Sequence, residues 1–131
     1  MENDTRWKQR FDNFSKAFKM LNDFIEKENL NKFEEQGLIQ CFEYTFELAW
    51  KTLKDYLEKE GYDLTTPRET IQKAFKIQFI STGHDWIDAL DKRNLMTHTY
   101  NENSAKEALS LIRDKYYFII KELYLKLSGL L

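Results

Sequence analysis

Aromatic and aliphatic side chains recur along this chain every three or four residues, with charged residues filling the gaps. Trp7, Phe11, Phe14, Phe18, Leu21 and then Phe24 or Ile25 fall on one stripe, which predicts a first helix over roughly 7–28. Asn29-Leu30-Asn31 reads as a short break. Ile39, Phe42, Phe46, Trp50, Leu53 and Leu57 share a face of a second helix over roughly 32–60, and Gly61 tolerates the positive φ that commonly follows a last turn. A third helix opens at Thr66-Pro67-Arg68-Glu69. Thr66 suits the cap, Pro67 the first helical position and Glu69 the returning half of a capping box. Its predicted buried side is Ile71, Phe75 and Phe79, ending before Ser81-Thr82-Gly83. A fourth starts near Asp85, read as an N-cap with Asp88 three residues on, and carries Trp86, Leu90, Arg93 and Met96. Asn101-Glu102-Asn103 reads as a loop. A fifth helix starts at the capping box Ser104-Ala105-Lys106-Glu107 and continues through Ala108, Leu111, Ile112, Ile119, Leu123 and Leu127.

Long helices with short connections pack as antiparallel bundles. The expected fold is therefore all-α, a bundle of about five helices in which the short third is a side element. The 131 residues fit a single domain over 1–131, long enough to bury a core without disulfides. Composition agrees: valine is absent, and four Gly and one Pro leave little material for turns. Ten Phe, seven Tyr and three Trp supply large buried surfaces.

The net charge of −2 argues against a protein that coats nucleic acid nonspecifically, so any RNA contact requires a local cationic cleft. No apolar run approaches the ~18 residues of a membrane span. Met1–Arg6 is polar and charged, without a signal-peptide pattern, and the single Cys41 fits a reducing compartment as a buried inert thiol. The cytoplasm is the expected location.

Arg93-Asn94-Leu95-Met96-Thr97-His98-Thr99-Tyr100 concentrates the chemistry. It gathers a fixed cation, one of only two histidines and a phenol within one helix end. A metal-free phosphodiester cleavage suits these groups. His98, which titrates near neutral pH, would take the proton from a ribose 2′-hydroxyl. Arg93 would hold the scissile phosphate at two points, and Asn94 would add a hydrogen bond. A five-residue offset separates Arg93 and His98 by ~140° around a straight helix. Either the helix ends near Thr97 and turns His98 inward, or two copies of the site meet across a dimer. The plainer alternative is a surface arginine and a histidine favoured by the helix dipole.

Tyr100 lies beside this site, within reach of a modifying enzyme if its loop is extended; a packed tyrosine is the plainer alternative. Glu43 and Glu47 stand one turn apart on the second helix, where they either pair with a neighbouring cation such as Arg93 or form a solvated edge. His84, Asp85, Asp88 and Asp91 match no common metal-ligand spacing, so no metal is expected. No Gly-rich phosphate loop, Ser/His/Asp arrangement or paired-Cys motif is present.

The segment Gln40 to Leu57, Pro67-Arg68-Glu69 with Ala74-Phe75, Trp86, and Asp91 through Tyr100 together resemble the HEPN-domain proteins, in particular the HepT-type toxins also called nucleotidyltransferase substrate-binding proteins. Arg93, Asn94 and His98 fit that family's motif of Arg, a polar residue, three variable residues and His; Tyr100 fits its extension. The resemblance implies a four-helix core plus a short helix. It also implies a homodimer whose paired motifs form a ribonuclease groove, and a minimal nucleotidyltransferase antitoxin that transfers AMP from Mg-ATP onto Tyr100. The metal and ATP would belong to that partner, leaving no cofactor in this chain. Two other readings stay open at this stage: a noncatalytic nucleotide- or substrate-binding subunit of a nucleotidyltransferase, and a purely structural helical adaptor.

Overall fold

The computed structural model describes residues 2–96 and 102–131, by backbone alone at 94–96 and 102. Every regular element among them is helical: α1 (Glu2–Glu26), α2 (Lys32–Lys59), α3 (Pro67–Lys76), α4 (Gly83–Met96), α5 (Glu102–Leu111) and α6 (Tyr117–Ser128). A π-helical segment, Ile112–Tyr116, joins α5 to α6 without a break, so the last three form one rod and the bundle has five helical rods. One hydrophobic cluster runs through them all.

The central element is α2. Between Leu38 and Leu57 it exposes only Gln40 and Tyr44. Its predicted stripe is fully inside, and Leu38, Cys41, Ala49 and Tyr56 are buried on flanking faces. Thr45 and Thr52 are also buried; their hydroxyls donate back to the Cys41 and Leu48 carbonyls at 2.7 and 2.6 Å, which spares a desolvation penalty. Cys41 is buried as expected, and burial pushes its thiol up into a less reactive range.

Helix α1 lies antiparallel along α2. Arg10 pairs with the buried Asp55 at 2.7 Å near one end, and Cys41 and Thr45 reach the Ala17 carbonyl further along. The other side of α1 meets α6, where Phe18 and Phe11 stack on Tyr124 with centroids 4.4 and 5.6 Å apart. The α1–α2 turn needs one left-handed residue, Asn29 at φ 57°, followed by a full capping box: Asn31 Oδ1 accepts from Glu34 N at 2.8 Å and Asn31 N donates to Glu34 at 3.0 Å. At the far end of α2, Gly61 takes φ 102°, as its position predicts.

Several predicted ends move. Helix α1 begins five residues before its apolar stripe, with Glu2 and Asp4 in a first turn whose dipole favours them. Thr66 caps α3 as expected, but Glu69 reaches back to Thr65, N and Oγ1, and not to Thr66. Thr70, Ile71 and Ala74 form the buried side of α3, which stops at Lys76; Phe75 is half exposed. Asp85 is not a cap, because α4 starts at Gly83 and the Thr82 carbonyl accepts from Asp85 N and Trp86 N. Glu102 and Asn103 are already helical, so Ser104 lies inside α5 and not before it.

The first residue of α4 packs closely on α3. The Phe75 side chain lies directly over Gly83, and a Cβ there would stand 2.5 Å from Phe75 Cγ and 2.8 Å from its Cβ. Those atoms sit at the base of the side chain and cannot swing away. Gly83→Ala is therefore expected to lower stability by about 1–3 kcal/mol in urea unfolding. An unchanged midpoint would show that α3 and α4 are free to separate.

Candidate functional site

The buried stripe of α4 contains Trp86, Ala89 and Leu90, and Trp86 packs on Phe46 of α2 with centroids 5.7 Å apart. Arg93 follows Trp86 by two turns and so shares its face. The arginine is the polar end of that stripe: it points at α2 but lies where the core gives way to solvent, its side chain 31% exposed. Glu47 waits there, next to Phe46 on α2. Arg93 Nη1 donates to Glu47 Oε1 at 2.6 Å. Of the two alternatives for Glu47, a solvated edge or a pair with a neighbouring cation, the structure shows the pair with Arg93.

The other oxygen of Glu47 is also engaged. Trp50 Nε1 donates to Oε2 at 2.8 Å, and Lys51 Nζ stands 3.9 Å from it. Glu43, one turn earlier, has no ion-pair partner among the described residues; burial raises its carboxyl above the usual range. Sequence reasoning counted Trp50 only as core. The signal for its polar role was available, since Glu and Trp three residues apart on a helix face each other.

A second set of contacts fixes α4 lengthwise, and the sequence did not reveal it. The π-helical segment presents Lys115 and Tyr116 to α4. The fully buried Tyr116 donates its hydroxyl to Asp88 Oδ2 at 2.6 Å, and its ring stacks on Phe42 of α2. Lys115 Nζ lies 3.3 Å from Asp88 and 3.5 Å from Asp85. The Tyr116 hydrogen bond, with Lys115 and Lys92 behind it, holds the Asp88 carboxyl below its ordinary value. At the exposed edge Arg68 of α3 pairs with Asp91. Asp85, Asp88 and Asp91 thus serve as anchors, while His84 is open to solvent with Asp85 beside it. Among the described residues no three His, Cys, Asp or Glu side chains gather as a metal site.

Of the predicted site, Arg93 and Glu47 are brought together and Glu43 stands one turn away. The Asn94 side chain, His98 and Tyr100 lie outside the described residues, as does the segment 97–101 that follows α4 directly. The arrangement offers one oriented guanidinium at a helix end, suited to contacting an oxyanion such as phosphate. Among the described residues, no helix is long and apolar enough to cross a membrane.

The model of the family described as nucleotidyltransferase substrate binding protein like matches residues 9–129. The chain is also similar to a solved structure, the crystal structure of a protein from Thermus thermophilus. The two superpose with a TM-score of 0.80 at 32% sequence identity, covering 87% of this chain and 98% of that one. No curated protein matches the chain.

The Asp88 anchor has a testable pH signature. A carboxyl held low in the folded state adds stability that is complete above its unfolded value and is lost as pH falls through the folded one. Tyr116→Phe removes the largest cause. The expected loss is about 1.5–3 kcal/mol near neutral pH, shrinking as pH falls below the carboxylate range. Urea unfolding at about pH 7 and about pH 3 checks it. Equal losses at both would mean that the hydroxyl serves packing and not the carboxylate.

Proposed function

Since the chain belongs to the nucleotidyltransferase substrate binding protein like family, an all-helical HEPN-like family, we propose that it is the HepT-type member of a pair: a metal-independent ribonuclease toxin silenced by a minimal nucleotidyltransferase antitoxin. The observation that carries this reading is Arg93. Its guanidinium is oriented at the end of α4, immediately before the segment that holds His98 and Tyr100.

In this reading two copies of the chain unite their motifs in one groove, in the cytoplasm. His98 removes the proton from a ribose 2′-hydroxyl. The 2′ oxygen attacks the adjacent phosphorus, the bond from phosphorus to the 5′ oxygen breaks, and that oxygen takes a proton from water. The products are a 2′,3′-cyclic phosphate and a 5′-hydroxyl. Arg93 holds the phosphate and opposes the charge that grows on its oxygens, with Asn94 as a further donor. Glu47, and Glu43 behind it, support from α2. Silencing acts on Tyr100: its phenolic oxygen attacks the α-phosphorus of Mg-ATP held by the partner, pyrophosphate leaves, and the tyrosine carries AMP. The adduct places a bulky anion beside Arg93 and His98.

A second reading is favoured by the family's own description and by the carboxylate already on Arg93: a noncatalytic subunit that binds nucleotide for a nucleotidyltransferase. It predicts binding of ATP or AMP in calorimetry with no digestion of RNA.

The ribonuclease reading predicts that purified protein cuts RNA in EDTA, and that Arg93→Ala and His98→Ala each slow cleavage by roughly 10²-fold or more. Full activity in either variant removes that residue from the chemistry. For silencing, intact-mass spectrometry after incubation with the cognate nucleotidyltransferase and Mg-ATP is expected to show AMP on wild type and none on Tyr100→Phe. An adduct that persists in the variant moves the acceptor elsewhere.

A further inference from the structure

We propose that Trp50 and Glu47 form a two-step positioning relay that aims Arg93: the indole fixes the carboxylate, and the carboxylate fixes the guanidinium. The proposal rests on the ribonuclease reading of Arg93 and adds to it the residues that make the arginine effective.

Each link has one donor and one acceptor. Trp50 Nε1 holds Oε2 at 2.8 Å and Arg93 Nη1 holds Oε1 at 2.6 Å, so both oxygens of one carboxylate are engaged and its orientation is restrained. The anchor is rigid, because Trp50 is buried in the core stripe of α2. The two far members are not: the Glu47 and Arg93 side chains are 40% and 31% exposed, and long exposed side chains wander unless tethered. The tether is also economical in donors. A guanidinium carries five N–H groups, and among the described residues only Nη1 is engaged, by Glu47. Among those residues its fork therefore keeps donors for a phosphate while its direction is set from the core.

Glu47 then acts in two opposed ways. By orienting Arg93 it favours the transition state, where geometry matters most. By its charge it cancels part of the field that attracts an anion to the ground state. Comparing a variant that loses both the charge and the aim with one that loses the aim alone separates them. In Glu47→Gln the amide has one acceptor and one donor end, so it cannot satisfy both Trp50 and Arg93. The expected outcome is kcat lower by roughly 10- to 100-fold with KM for RNA unchanged or lower. A residue needed only for folding would leave surviving molecules with normal kcat. Trp50→Phe keeps the charge and loses the aim, so kcat falls while KM stays. Because Trp50 acts through Glu47, the double variant is expected to be no slower than Glu47→Gln alone.

The side-chain N–H resonance of Arg93, assigned by its loss in Arg93→Lys, reads the relay without reference to cleavage. It is expected to shift in Glu47→Gln and in Trp50→Phe. An Arg93 signal unmoved by both variants overturns the relay, as does a normal kcat in Glu47→Gln or additive losses in the double variant. RNA left uncut by the wild-type protein, with the signal still responding to Glu47, overturns instead the ribonuclease reading, and wild-type cleavage by Arg93→Ala removes Arg93 from it. Glu47→Gln changes a partly exposed side chain and keeps the test open if Trp50→Phe proves unstable.

Discussion

Between Leu38 and Leu57, α2 leaves only Gln40 and Tyr44 exposed, so nearly every position along five turns has to meet a partner. One neighbouring helix covers only one side. The remaining rods are arranged by that requirement: α1 along one face, the last rod along another, and α3 and α4 against the rest. Polar residues caught inside must be satisfied locally, which Thr45 and Thr52 achieve through their own helix carbonyls. Charged ones are either paired inside, as Asp55 is with Arg10, or stand at the rim. Glu47 and Arg93 stand at such a rim, Glu47 beside the apolar stripe of α2 and Arg93 at the end of that of α4.

That boundary explains the chemistry available there. An arginine facing a neighbouring helix from deep within the core would be wholly consumed by its ion pair, and its desolvation would be costly. One on the open surface would be screened and mobile. At the rim it keeps enough of both environments: a packed neighbour to aim it and solvent to reach a ligand. The family assignment from residues 40–57 and 91–100 agrees with the match over 9–129, at the level of the family. The toxin, the cleavage and the modified tyrosine are proposals built upon it.

The helices were legible because apolar residues spaced by three and four leave few alternatives for a chain without valine and nearly without glycine or proline. Their ends were less so. Asp85 and Ser104 look like caps, yet a cap contributes only about 1 kcal/mol and yields to tertiary contacts. The close approach of Phe75 to Gly83 and the use of Asp88 by Tyr116 are of that kind, made by residues far apart in sequence. The Arg93–Glu47 contact was legible only as one of two alternatives, since residues that border apolar stripes can equally form a solvated edge. The π-helical segment was not, because the doublet Tyr116-Tyr117 offers an aromatic residue to either phase of the helix.

Those two neighbouring tyrosines face different parts of the bundle. Tyr116 bonds Asp88 of α4, whereas Tyr117 stacks on Phe18 and donates to Asn22 of α1. An ordinary α-helical turn advances each residue by ~100°, and the widened turn alters that phase between the halves of the rod. The insertion thus lets one continuous helix address two unlike neighbours. Trimming a single residue between 112 and 116 would restore a uniform pitch and swing one half of the rod away from its partners. Length variation among relatives should consequently be sparse in this stretch and collect in the connecting loops.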